Sequence, residues 1–275
     1  MPGRLEAPGL PPRTGLGKLG GFWHPAGVRL DVLAIGAHPD DVELACGGTL
    51  ALLAARGRRV GILHLTRGEA GTRGTAQQRL AEAERAAAAL GAACVEFLDC
   101  GDGGLRIGEA EENSLIAVLR RLRPELVLGP APTDRHPDHG RAHRLVAAAC
   151  FYAGLARRGG LAWRDGAGSP HRPAAVFSYM QHDPFPPSFI VDVTASWEAK
   201  LAALDAYSSQ LHRPGAEEAS DEPPTKVASP DFRLAVEGRA RHFGNLIGAA
   251  LGEPFLARLP LAVRDPMDLL PGGLP

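Results

Sequence analysis

Residues 30–43 read LDVLAIGAHPDDVE. An apolar run (30–36) gives way within two residues to His38, Pro39 and two adjacent aspartates, and an Ala- and Leu-rich segment follows (42–56), closed by Gly57. The apolar run suits a parallel strand buried on both faces, and the segment after it suits a helix stopped by glycine. The polar residues therefore sit in a strand-to-helix turn. The same alternation continues outward. RVGILHLT (59–66) reads as a second strand, RGEAGTRGT (67–75) as a Gly-rich loop and AQQRLAEAERAAAALG (76–91) as a helix. CVEFLD (94–99) reads as a third strand, 111–124 as an amphipathic helix stopped by Pro124, and ELVLGP (125–130) as a fourth strand. The loop APTDRHPDH and a further helix from about residue 140 complete the series.

Strands and helices alternating over some 120 residues predict an α/β fold: a Rossmann-like, mostly parallel sheet with helices on both faces. Ligands of such sheets bind beyond the carboxyl ends of the strands, here the loops 37–41, 67–75, 99–106 and 130–139. After residue 158 the rhythm changes. Strands are expected at 174–180 and 188–193, then a helix over 194–210 with a Thr or Ser cap. A Pro- and acid-rich loop over 211–230 is a candidate lid or partner contact, and a final helix runs from 231 to 251. This part reads as a C-terminal strand-and-helix elaboration. The expected organisation is a flexible Gly/Pro-rich extension (1–28), a single domain (29–265) and a tail (266–275).

Composition narrows the function. Hydrophobic residues make up 45% of the 275 residues and charged ones 22%, and the formal net charge is −1. No basic footprint points to nucleic acid, and no apolar stretch is long enough to span a bilayer. Residues 1–28 have no apolar core of a signal peptide. The four cysteines, Cys46, Cys94, Cys100 and Cys150, form no CxxC pair. Reduced thiols and a cytoplasmic location are the simplest expectation.

The two His-Pro-Asp clusters carry the chemistry. His38 and Asp41, three residues apart at a helix start, offer one nitrogen and one carboxylate to a single cation, a set that suits zinc or a similar divalent metal. Asp40 lies between them, placed to act as general base on a metal-bound water. In RHPDH, His136 and His139 repeat the spacing. His139, at the helix start, is the better third ligand, His136 then faces the substrate, and Asp138 is placed to fix an imidazole tautomer. Three protein ligands leave a position for water. The bland alternative for each cluster is an aspartate that merely caps a helix; sheet topology, which brings both loops to one edge, favours the metal site. His64 and His143 read as ordinary structural residues. A dinucleotide site is disfavoured because GAHPDD lacks GxGxxG and puts two carboxylates where phosphates would lie.

AHPDDVE, TRGE, the helical arginine of QQRLAEAE, the DGGL turn and RHPDH together resemble the LmbE-like or PIG-L family of zinc-dependent N-acetylglucosaminyl deacetylases. Over about residues 30–265, TRGEAGTRGT, RHPDHGRAH, AYSSQ and EGRARHFGNLIG are most similar to the bacillithiol-biosynthesis deacetylases. The resemblance implies His38, Asp41 and His139 as zinc ligands and Asp40 as general base. It implies His136 as the group assisting the tetrahedral intermediate and leaving amine, Asp138 as a carboxylate supporting a histidine, and Arg79 and Asp102 as holders of sugar hydroxyls. For Arg79 the plain alternative is a solvated helix charge, and for Asp102 a turn former. The mycothiol-pathway relatives carry a tyrosine just ahead of the second motif that this chain lacks. That leaves the oxyanion partner to Arg135, His136 or the metal. The implied substrate is N-acetylglucosaminyl-malate, whose carboxylates would suit Arg67 and Arg73 of the Gly-rich loop. Another N-acetyl sugar (a chitooligosaccharide or a mycothiol-type conjugate), a thiol conjugate, or a non-catalytic metal-binding role are the alternatives. Fe(II) or Co(II) would suit the same ligands as Zn(II). The resemblance favours a homo-oligomer.

Overall fold

The structure, a computed structural model, describes residues 29–158, 169–211, 225–263 and 265. The expected extension (1–28), the tail (266–275) and most of the 211–230 loop lie outside the described residues. Among the described residues seven strands form one sheet in the order β3-β2-β1-β4-β5-β7-β6. The strands are β1 (Val32–Gly36), β2 (Val60–His64), β3 (Cys94–Phe97), β4 (Leu126–Pro130), β5 (Ala175–Tyr179), β6 (Phe189–Asp192) and β7 (Gly252–Ala257). β1 to β5 run parallel, and β7 pairs antiparallel with both β5 and β6.

β1 is apolar throughout because both its faces are covered. Leu33 and Ile35 join the cluster beneath α3 (Glu109–Leu122) and α4 (Pro137–Tyr152). Val32 and Ala34 point to the other face, under α1 (Asp41–Ala55), α2 (Ala76–Ala89) and α5 (Trp197–Asp205). Each fully buried Leu or Ile there contributes about 1.5–3 kcal/mol. The helix boundaries follow local chemistry. Thr75 caps α2 by accepting from the Gln78 N–H at 3.1 Å, and Gly91 after it takes φ 71.

The C-terminal part departs from expectation in two places. The helix expected over 194–210 is a 3-10 turn, Thr194–Ser196, followed by α5, which ends at Asp205. Its expected hydroxyl cap is absent: Ser196 Oγ donates to the Gly48 carbonyl at 2.7 Å instead. The last helix, α6 (Pro230–Asn245), stops six residues early and the chain turns into β7. GEPFLA carries a Gly, a Glu and a Pro, which hides a strand from its sequence. Pro254 is tolerated because β5 pairs with β7 only from Phe255 onward.

Candidate active site

β1 has β2 on one side and β4 on the other, so the strand order reverses between β1 and β4. The crevice at such a switch point is where open α/β sheets bind ligands. The first His-Pro-Asp turn follows β1 and the second follows β4, and the two meet there.

His38 is buried at the centre. Its Nε2 lies 3.1 Å from Asp102 Oδ1 and 3.3 Å from Asp138 Oδ2, and its Nδ1 lies 3.5 Å from Asp41 Oδ2. His139 Nε2 faces Asp41 Oδ1 at 3.4 Å, while its Nδ1 is held by Asp134 Oδ1 at 3.0 Å. The His136 ring sits 4.8 Å from that of His38 and 4.9 Å from that of His139. Its Nδ1 accepts from the Asp138 N–H, which caps α4 and leaves Nε2 toward the site. One nitrogen from each of these three histidines falls within 4.8 Å of the others.

These residues fit a divalent cation. Imidazole nitrogens and carboxylate oxygens are the donors zinc takes, and four carboxylates (Asp41, Asp102, Asp134, Asp138) surround two buried imidazoles. Burial alone would depress both histidines. Hydrogen bonds from Asp102, Asp138 and Asp41 nonetheless push His38 well up, and Asp41 and Asp134 raise His139 to about 9. The pocket is built to hold positive charge. Among the described residues three groups bring their donor atoms within 4.8 Å of one another: His38, His136 and His139; Asp134, His139 and His182; and His38, Asp102 and Asp138. The expected set of His38, Asp41 and His139 is not one of them, although Asp41 contacts both imidazoles.

Asp40 behaves unlike a helix cap. It occupies the N-cap position of α1 in the left-handed region, φ 101, and makes no side-chain cap bond. A non-glycine residue held there costs of the order of 1–3 kcal/mol. Its carboxylate is buried with the Arg79 Nη2 at 3.6 Å. Burial raises its pKa and Arg79 opposes that, leaving it at about 7.

The remaining expected residues fall into two groups. Asp102 reaches the site, since its other oxygen takes the Ala70 N–H at 2.8 Å while the first contacts His38. Arg79 also reaches it, as a buried clamp: Nη2 donates to the Pro39 carbonyl at 2.6 Å and Nη1 to that of Gly68 at 3.3 Å. It is not a solvated helix charge. Asp138 contacts the His38 ring, and its Oδ1 takes the Leu105 N–H at 3.0 Å. Arg67 is committed elsewhere: its Nε and Nη2 grip Asp99 at 2.6 and 3.3 Å. Arg73 Nε donates to the Ser209 carbonyl at 3.1 Å.

Several site residues went unread in the sequence. Asp134 stands two residues ahead of His136, takes the N–H groups of His136 and His182, and fixes His139. Gln181 donates to Asp41, and the His182 ring stacks on His139 at 5.8 Å. Both follow β5, a fifth parallel strand to which the carboxyl-end rule applies equally. His64 is structural, as expected: it is fully buried, burial lowers its pKa to about 3, and its Nδ1 meets the His38 carbonyl at 3.1 Å beneath the site. His143 is satisfied by the Pro130 carbonyl at 2.9 Å, as a structural histidine is.

Comparison with known proteins places the chain in a family. The family described as "PIG-L: GlcNAc-PI de-N-acetylase" matches residues 33–150, a span that includes both turns. Diacetylchitobiose deacetylase of Thermococcus kodakarensis is 35% identical over 193 residues, covering 66% of this chain and 70% of that one. The chain belongs to the PIG-L family. It is thereby a member of a family of deacetylases, hydrolases acting on amides. The crystal structure of the conserved protein TT1542 from Thermus thermophilus superposes with a TM-score of 0.74 at 39% identity, covering 85% of this chain and 97% of that one. 4-Oxalmesaconate hydratase of Pseudomonas putida is 29% identical over 196 residues, 66% of this chain and 74% of that one. Similarity within the family thus extends to another chemistry, and substrate must be argued from the site.

Proposed function

We propose that the protein is a divalent-metal-dependent N-deacetylase acting on an N-acetylglucosamine conjugate, with N-acetylglucosaminyl-malate as substrate and glucosaminyl-malate as product. The observation that carries this reading is Asp40. A non-glycine residue in a left-handed turn, buried, outside every such donor group and pushed up to about 7 by burial, suits a general base better than a ligand. A scaffold that merely held a metal would have no use for it.

His38, His139 and Asp41, or His136 in place of Asp41, would hold the cation. When bound, the cation would acidify a water and polarise the acetyl carbonyl. Asp40 accepts the proton of the attacking water, with the neighbouring Arg79 favouring the carboxylate form. With Asp41 completing the ligand set, His136, whose Nδ1 accepts the Asp138 N–H, presents its Nε2–H as the donor toward the carbonyl oxygen as charge develops. The C–N bond then breaks. Asp40 returns its proton to the leaving amine, and acetate and the free glucosamine depart. Asp138 and Asp102 hold the His38 ring, and Asp134 holds that of His139, which fixes which nitrogen each presents.

Acetate release from N-acetylglucosaminyl-malate, diacetylchitobiose and free N-acetylglucosamine by apo and zinc-loaded protein tests the reading. Metal-dependent release chiefly from the malate conjugate supports it. Better turnover of chitobiose keeps the reaction and replaces the substrate. No release from any, with metal bound, overturns the deacetylase reading. Hydration of an unsaturated carboxylic acid, suggested by the similarity to the Pseudomonas putida hydratase, would then be next.

A further inference from the structure

A cavity of about 250 Å³ lies against the site, walled by Gln181, His182, Lys226, Phe232 and Arg239, with Leu44 of α1 at its base. It is several times the ~30 Å³ that one water occupies in the liquid. It shares a wall with the catalytic crevice: Gln181 is the residue that donates to Asp41, and His182 is the ring stacked on His139. Whatever occupies it is attached to, or adjoins, the group that reacts.

Among the described residues the charged lining is cationic. Lys226 and Arg239 are its cations, His182 is kept neutral by burial, which lowers its pKa to about 4, and no carboxylate is among the described lining residues. Arg239 donates through Nη2 to the Leu44 carbonyl at 3.2 Å, which uses one of a guanidinium's five N–H groups. Burial works against its charge, and Glu253 and Asp134 offset that only in part. A second feature points the same way. Gln181 is 95% buried, its Nε2 is taken by Asp41, and its Oε1 has no partner. A buried amide oxygen without a donor carries a desolvation penalty that a ligand hydroxyl would relieve. Arg67 of the Gly-rich loop does not compete for the role, being gripped by Asp99.

We infer that this cavity is the subsite for a carboxylate-bearing substituent on the sugar, with Arg239 and Lys226 binding the carboxylate and Gln181 Oε1 accepting a sugar hydroxyl. This rests on the deacetylase reading above and makes it specific: the enzyme selects acidic conjugates over neutral oligosaccharides. The guanidinium suits a carboxylate geometrically, and the lysine adds charge from the rim.

The test compares kcat/KM for N-acetylglucosaminyl-malate and for diacetylchitobiose in zinc-loaded wild type, Lys226→Gln and Arg239→Gln. Loss of one charged partner is expected to raise KM for the malate conjugate about tenfold with kcat within about threefold. The malate-to-chitobiose selectivity should fall by the same factor of about ten. Arg239 also supports the Leu44 carbonyl, so Lys226→Gln, an exposed position, decides if the arginine variant fails to fold. Equal losses on both substrates, or unchanged selectivity in Lys226→Gln, would overturn the inference while leaving the deacetylase reading intact. If wild type releases acetate from neither substrate, that reading fails, and titration with L-malate alone decides this one. Saturable binding weakened in Lys226→Gln supports it, and no binding to wild type overturns it.

Discussion

At His38–Asp41 the chain enters its helix through Asp40 in the left-handed region at φ 101. At His136–His139 it enters through an extended His136, φ −87, with Pro137 in the first turn. Three of the four residues are the same, yet the fastenings differ. The second turn is fastened by its own neighbourhood and by the loop after β5: His136 caps the helix with Nδ1, and Asp134 binds His139 and the main-chain N–H groups of His136, His182 and Asp183. The first turn is held from across the molecule. α1 is kinked at Cys46, φ −137, because Glu253 of β7 takes the N–H groups of Gly48 and Thr49 at 3.0 and 2.7 Å. The Leu44 carbonyl, on the near side of the kink, is met by Lys200 Nζ at 3.0 Å and Arg239 Nη2 at 3.2 Å. Lys200 and Glu253 themselves form a fully buried ion pair, 2.5 Å apart. A single turn carrying Asp41 and Glu43 is thereby set at its own angle, with Arg79 bracing it from the other side. The turn that combines general base and ligand is the strained one, and its support is remote.

The contrast can be broken from the remote side first. Glu253→Ala leaves Lys200 charged and unpaired in the interior, and removing one partner of a buried pair costs about 3–5 kcal/mol. Thermal unfolding should show a fall of roughly 6–20 °C at 2–4 °C per kcal/mol for a domain of this size. Acetate release at permissive temperature should fall as well, because the first turn loses its anchor. A stable variant with wild-type activity would mean the kink is incidental. Asp134→Asn probes the local fastening. It should lower metal affinity or activity by about 10–100-fold with little change in melting temperature, since the helix cap and Pro137 remain; metal titration followed by calorimetry reads both. Arg67→Gln is the smallest expected effect. Its exposed pair with Asp99 is worth about 0–1 kcal/mol, and KM for the malate conjugate should stay within about twofold of wild type. A tenfold rise would return the carboxylate clamp to the Gly-rich loop.

How much of this could be read in the sequence follows the same division. β1, β2, β3 and β4 announce themselves because parallel strands covered on both faces are runs of apolar residues. The second motif carries its own cap and Asp134 within APTDRHPDH, while Leu105 and the His182–Asp183 backbone reach it from other loops. The first motif reveals its ligating types but not what positions them. Gln181 reaches Asp41 from 140 residues away and Glu253 reaches Gly48 from 205. β7, which brings Glu253, is masked by its own Gly-Glu-Pro. Asp40 in isolation reads as a helix cap; only its left-handed backbone and its burial against Arg79 separate it from one.

Acetate release by zinc-loaded Asp40→Asn, with bound zinc counted in the same sample, tests the central claim most directly. Asparagine keeps the size and tolerates the left-handed backbone, while removing the base. The expected result is one equivalent of metal, as in wild type, with release slowed by about 10²–10⁴-fold. Release within a few-fold of wild type would contradict Asp40 as general base. Loss of the metal together with activity would make Asp40 a ligand and collapse the distinction between the two turns.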